Sequence, residues 1–146
     1  MNASRARSWH DAGVIDVATP AEMAAIDASA PVSVDALIER AGAAVARSAI
    51  RLLGGTYGRR VVVIAGPGNN GSDGRVASRI LERRGVRVRV EAAGKVLSVP
   101  PCDLVIDAAY GTGFRGEYVS PVDRQPVLAV DLVSGLDALT GEIAHS

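Results

Sequence analysis

The apolar run Val61-Val62-Val63-Ile64-Ala65 is cut off at once by Gly66-Pro67-Gly68-Asn69-Asn70-Gly71, and this junction constrains the fold more than any other feature. An apolar run that is continuous rather than alternating predicts a strand covered on both faces, as in a parallel sheet. Upstream, Thr19-Pro20-Ala21-Glu22 predicts a helix start, with Thr19 as cap, Pro20 at the first helical position and Glu22 closing a capping box; this helix runs to about Ser29, before Pro31. Val34, Leu37, Ile38, Ala41, Val45, Ala49 and Leu52 fall at helical spacing, which predicts a second helix over Val34–Leu53, ended by Gly54-Gly55. The pattern then predicts a strand from Arg59 to Ala65, a loop from Gly66 to Gly74 and a helix from Arg75 to Arg84 closed by Gly85. Val86 to Val90 alternates, as at a sheet edge or on a half-exposed face, while Leu104–Asp107 and Val127–Asp131 read as two short buried strands.

Strand, helix and strand at this spacing predict the α/β class: a Rossmann-like three-layer αβα arrangement with a mostly parallel sheet, incomplete on its C-terminal side. Residues 1–18 read as a tail and 19–146 as the domain. Residues 91–103 and 111–126 are short for crossovers between parallel strands, so each is expected to hold no more than a brief turn.

Composition excludes several function classes. Sixteen basic residues balance sixteen acidic ones, so the chain offers no general attraction to nucleic acid or to anionic membranes. One cysteine, Cys102, cannot form a disulfide within the chain, which fits a reducing cytoplasm. One Cys with His10 and His145 near opposite ends cannot build a zinc cluster. The opening MNASRARSWHDAG lacks the apolar stretch of a secretory signal, and no apolar run approaches the roughly 20 residues of a membrane helix.

Gly66, Gly68 and Gly71 match a GxGxxG turn after a strand, and Glu91 lies about 20 residues on, where a ribose-binding acid would stand. Taken alone, this describes a fragment of an NAD-binding oxidoreductase. Asn69, Asn70, Ser72 and Asp73, however, make the turn polar and acidic. A carboxylate at a helix entrance competes with a pyrophosphate for the same positive end, and suits sugar hydroxyls or a cation better. Two more polar clusters follow later strands, Asp107 to Gly113 and Asp131 to Asp137. In a parallel sheet these strand ends share one edge, so the three clusters should converge in one crevice.

The three blocks VVVIAGPGNNGSDG, DLVIDAAYGTGFRG and VLAVDLVSGLDALTG resemble the signature segments of the NAD(P)H-hydrate epimerases, the YjeF N-terminal domain family, and TPAEMAAID and IERAG resemble its N-terminal helices. The resemblance runs from about Thr19 to Gly141. It implies a Rossmann-like domain that interconverts the R and S epimers of hydrated NADH and NADPH, with a potassium ion in the site. Carried over residue by residue, it implies that Asn69, Asn70, Gly71, Ser72 and Asp73 contact the hydrated nucleotide. Gly111, Thr112, Gly113, Phe114, Arg115, Gly116 and Glu117 would form a second ligand loop. Asp131 would contact the ligand as the acid–base group, and Asn70, Asp107 and Ser134 would hold potassium. The chemistry agrees: the hydrate is a hemiaminal, and one carboxyl that gives and takes a proton suffices to release and return its hydroxyl. Amide, carboxylate and carbonyl oxygens suit a hard cation.

Ser72 stands where the family usually has glycine, and Val133 where it usually has proline before Ser134. Relatives continue past the third block, and many carry a second domain, an ADP- or ATP-dependent dehydratase, so the chain is expected to be cut short at its C-terminus. Residues 1–146 alone are expected to be poorly soluble or partly unfolded and to lack activity. The resemblance further implies a fused or separate dehydratase as partner, and the assembly is expected to be a homo-oligomer. A non-catalytic nucleotide-binding partner domain is a further alternative.

Plainer readings stand beside these roles. Asp107 and Asp131 also suit loop caps, and Asn69 and Asn70 a simple turn. Tyr110, Phe114 and Tyr118 either flank a reduced nicotinamide ring or pack their own loop. Arg83, Arg84, Arg87 and Arg89 read as a solvated face, with Arg115 the better phosphate candidate, and Cys102 reads as an inert thiol.

Overall fold

A computed structural model describes residues 18–29 and 31–143; residues 1–17 of the proposed tail and both histidines lie outside the described residues. Helix α1, Pro20–Ser29, begins with the expected capping box: the Thr19 N–H and hydroxyl both donate to Glu22 Oε2, at 2.7 and 2.8 Å, and the Glu22 N–H donates to Thr19 Oγ at 3.3 Å. Helix α2, Val34–Leu53, is capped by Ser33, whose hydroxyl accepts from the Ala36 N–H, and ends at Gly54 in the left-handed conformation.

Four strands follow, β1 (Arg60–Ala65), β2 (Arg87–Ala92), β3 (Leu104–Ala108) and β4 (Val127–Ala129), with helix α3 (Asn69–Arg83) between the first two. They pair in the order β2-β1-β3-β4, and every pairing is parallel. β1 and β3 are central and almost wholly buried, as their unbroken apolar runs require. β2 is an edge strand whose Arg87 and Arg89 are exposed, as its alternation predicts. β4 forms the other edge. It is shorter and more exposed than a buried Val127–Asp131 strand would be, because Asp131 turns into the left-handed region at φ 68° and ends the extended run.

One face of the sheet carries both long helices. Ala46, Ala49 and Leu53 of α2 and Ala77 and Leu81 of α3 pack on Val61, Val63, Leu104 and Ile106. The opposite face is covered among the described residues by the connections 93–103 and 109–126, which bring Val99, Ala109, Tyr110 and Tyr118 over Val62, Ile64 and Val105. Neither connection contains a helix, in agreement with the brief turns that their length predicts, and a layer of turns covers this face.

The one large correction concerns α3. The sequence suggests a loop up to Gly74 and a helix only from Arg75, yet the helix starts at Asn69. The glycines serve close approach rather than looping. A Cβ on Gly71 would run into the Gly66 carbonyl, and one on Gly74 would stand 2.6 Å from Ala108 Cβ and 3.0 Å from Val63 Cγ1. Packing of the helix onto the strand ends outweighs the poor helix propensity of Asn, Gly and Ser. Gly42 plays the same part between helices, where a Cβ would collide with the Val76 side chain and lie 2.8 Å from the Asp73 carbonyl oxygen. Gly42→Ala should therefore destabilise the fold by about 1–3 kcal/mol through overpacking. A denaturant midpoint shifted downward would show this; an unchanged midpoint would contradict the close α2–α3 contact.

Candidate active site

The strand order reverses direction between β1 and β3, since the chain leaves β1 toward β2 and returns to the far side of β1 for β3. Open α/β sheets bind ligands outside the carboxyl ends of their strands at such a point. Here Gly66 and Ala109 meet, so closely that a Cβ on Gly66 would strike the Ala109 carbonyl. A cleft of about 680 Å³ opens above them.

The three polar blocks converge on this cleft. Asn69, Asn70 and Asp73 line it from α3, Gly111, Thr112, Gly113, Phe114 and Arg115 from the connection after β3, and Asp131 from the end of β4. Gly71 and Ser72 stand behind the lining within α3, and Gly116 and Glu117 lie outside it. Pro67, Gly68, Ala109 and Tyr110 complete the walls, and Met23 of α1 reaches the rim. Nothing in the weakly patterned α1 sequence marks Met23 in advance; only its tertiary position does.

Beneath the cleft, Asp107 and Ser134 are locked together. Asp107 is 6% exposed and Ser134 8%. The Ser134 hydroxyl donates to Asp107 Oδ1 at 2.6 Å and its N–H to Oδ2 at 2.9 Å, while the Ala109 N–H donates to Oδ1 at 3.2 Å. The Tyr110 N–H donates to Ser134 Oγ at 2.9 Å. All of these partners are neutral, and among the described residues no cationic side chain pairs with Asp107. Tyr118 has a buried hydroxyl without a hydrogen-bond partner among the described residues; burial, then the charges of Asp107 and Tyr110, hold its phenol well above the ordinary value.

Asn70 donates through Nδ2 to the Val130 carbonyl at 2.8 Å, tying α3 to the end of β4 and leaving its amide oxygen as an acceptor. Asp131 accepts the Thr112 N–H at 3.0 Å. Gly111 fits between these two side chains: a Cβ there would lie 2.8 Å from Asp131 Oδ2 and 2.9 Å from Asn70 Nδ2. Gly68, the cap of α3, makes no side-chain hydrogen bond, so the positive end of a fifteen-residue helix opens on the cleft. Arg115 folds back on the carbonyls of Thr112 and Phe114, without a carboxylate partner among the described residues. Tyr110 and Phe114 stack with centroids 3.9 Å apart, and Tyr118 meets Tyr110 edge-on at 5.2 Å. Thus Phe114 and Tyr110 both pack their loop and face the cleft.

Asp73 is pushed up to about 6, first by burial and then by the charge of Asp131. It forms no hydrogen bond or ion pair with another described residue, unlike its anchored neighbour. Burial likewise raises the Cys102 thiol, in keeping with an inert cysteine. Glu91 is engaged by Arg89 on β2 and does not line the cleft. Among the described residues no His, Cys and carboxylate cluster could hold a metal, and no helix is long and apolar enough to cross a membrane.

The fold and this cleft define a Rossmann-like α/β protein with a polar site at the carboxyl ends of its strands. The sequence pattern described as "YjeF-related protein N-terminus" matches residues 34–99. The chain is 32% identical to an NAD(P)H-hydrate epimerase of Dictyostelium discoideum, over 77% of this chain and 63% of that one. It is 33% identical to one of Rhodobacter capsulatus, over 70% and 66%. To a bifunctional NAD(P)H-hydrate repair enzyme Nnr of Pyrobaculum aerophilum it is 33% identical, over 73% of this chain and 29% of that protein. Its fold matches the crystal structure of yeast YNL200c with a TM-score of 0.73 and 26% identity, covering 90% of this chain and 76% of the yeast one. The chain belongs to the YjeF N-terminal domain family. It spans between 29% and 66% of the length of these curated relatives.

The raised Asp73 carboxyl gives a stability prediction. A carboxyl whose folded-state pKa lies above its ordinary 3.8 favours folding while protonated, and that contribution is lost as pH rises toward about 6. Melting temperatures across this window should fall with rising pH more steeply in the wild type than in Asp73→Asn. Parallel curves would contradict the burial of Asp73.

Proposed function

We propose that this chain provides the site that interconverts the R and S epimers of hydrated NADH and NADPH. The observation that carries the reading is the meeting, in one cleft of about 680 Å³, of two carboxyls, Asp73 and Asp131, with the open end of α3 and the guanidinium of Arg115. Because α3 starts at Asn69 and carries no acid in its first turn, Asp73 does not stand at the helix entrance as the sequence suggests, and the open helix end and Arg115 suit a pyrophosphate. The Tyr110–Phe114 stack suits a ring, and a carboxyl suits the hydroxyl of a hemiaminal. The names of the relatives from Dictyostelium discoideum and Rhodobacter capsulatus support the same activity. Asp131 is assigned as an acid–base group. An oxidoreductase reading draws on Gly66, Gly68, Gly71 and Glu91; the engagement of Glu91 by Arg89 away from the cleft weighs against it.

Potassium belongs to this proposal. Asn70, Asp107 and Ser134 offer hard oxygen donors, and the buried charge of Asp107 meets only neutral donors among the described residues. A bound potassium ion would offset that charge and draw ligand oxygens toward the floor of the cleft. The proposal extends to a cytoplasmic homo-oligomer that works with an ADP- or ATP-dependent dehydratase, either fused or separate. The bifunctional relatives support such a coupling.

In the full-length protein, Asp131→Asn should keep the fold but slow epimerisation of hydrated NADH by roughly 100-fold or more, the scale of a lost acid–base group. Exchange between the two epimers, followed by NMR, measures this, and near-normal turnover would remove Asp131 from the chemistry. Potassium titrated against ligand affinity should tighten binding in the wild type but not in Asp107→Ala. Identical dependence in the two proteins would overturn the cation site.

A further inference from the structure

An epimerase must serve both faces of its reacting carbon, and the cleft holds two carboxyls in unequal settings. Asp131 is fixed: its backbone is turned into the left-handed region, at φ 68°, and its Oδ2 accepts the Thr112 N–H. Asp73 stands on a different element, α3, and has no hydrogen-bond or ion-pair partner among the described residues although it is only partly exposed. A side chain so placed is free to address a ligand.

The geometry points to a division of labour in which Asp73 is the catalytic acid that protonates the departing hydroxyl and Asp131 is the base that receives the proton of the incoming water. This inference rests on the epimerase reading given above and deepens it. In the step, the Asp73 proton passes to the hydroxyl oxygen as the C–O bond breaks, and the ring-nitrogen lone pair forms the C=N bond. Water leaves. A second water then adds to the other face, the C=N electrons return to nitrogen, and the surplus proton passes to the Asp131 carboxylate. The pair ends with one proton, as it began, and runs in reverse for the opposite epimer.

The electrostatics agree. The charge of Asp131 is among the causes that keep Asp73 protonated up to about 6, so one carboxyl sustains the acid form of the other. The other charged or titratable groups on the cleft walls are Arg115 and Tyr110, from the connection after β3. From α1 comes the neutral Met23, and α2 meets Asp73 at Gly42, with Glu39 on the same helix taken up by Arg79.

The test is the pH profile of kcat for hydrated NADH, read by NMR exchange, for the full-length wild type, Asp73→Asn and Asp131→Asn. In the wild type kcat should fall as pH rises through about 6. Asp73→Asn should lower kcat by roughly 100-fold or more and flatten that limb. Asp131→Asn should also slow the reaction, but with the limb kept and moved to lower pH, since the like charge is gone. A limb that persists unmoved in Asp73→Asn and vanishes in Asp131→Asn would overturn the assignment alone. A wild type that binds the hydrate without accelerating exchange at any pH would instead sink the epimerase reading, and the division of labour with it.

Discussion

The bond between Asp107 and Ser134 is the contact on which the rest of the site depends. A buried carboxylate at the end of β3 receives both the hydroxyl and the N–H of a serine 27 residues further on. Leaving such a group unsatisfied would cost several kcal/mol, so the segment after β4 has little freedom to lie elsewhere. Once Ser134 is fixed, its hydroxyl accepts the Tyr110 N–H and sets the start of the second ligand loop. Thr112 can then reach Asp131, and Asn70 can reach Val130. Three blocks far apart in the chain become one surface through a short chain of hydrogen bonds.

Small residues supply the second requirement. Gly66, Gly71 and Gly111 stand where any Cβ would meet backbone or a site side chain, and Gly74 where it would meet the core side chains of Ala108 and Val63. They let α3 start directly against the strand ends, so that its positive end opens on the cleft. That closeness also partly buries Asp73 and brings it under the influence of Asp131. Packing, electrostatics and chemistry thus share one cause.

Much of this was legible in the sequence, and the exceptions have physical reasons. The continuous apolar runs of β1 and β3 announce central parallel strands, and the alternation of β2 announces an edge. The capping box at Thr19 and Glu22 forms as read. The start of α3 was missed because local propensity argues for a loop at Asn-Asn-Gly-Ser, whereas the helix is held there by contacts with Ala108 and Val63, remote in sequence. β4 was drawn too long because nothing in Val-Leu-Ala-Val-Asp signals the left-handed turn at Asp131. In the site, the strand-end acids were visible as types in context, but the contrast between an anchored Asp131 and an unpartnered Asp73 is a property of the folded chain. Met23 at the rim belongs to the same class: no spacing rule links an α1 residue to the sheet edge.

What the cleft does to a hydrated nucleotide decides its function. The most direct measurement starts from hydrated NADH enriched in one epimer, incubated with the full-length protein in potassium buffer, with the R to S ratio followed by NMR against a protein-free control. The account predicts that the two epimers reach equilibrium much faster than in the control, with no change in nicotinamide redox state. An unchanged rate of equilibration, in a sample where ligand binding is demonstrated, would contradict it.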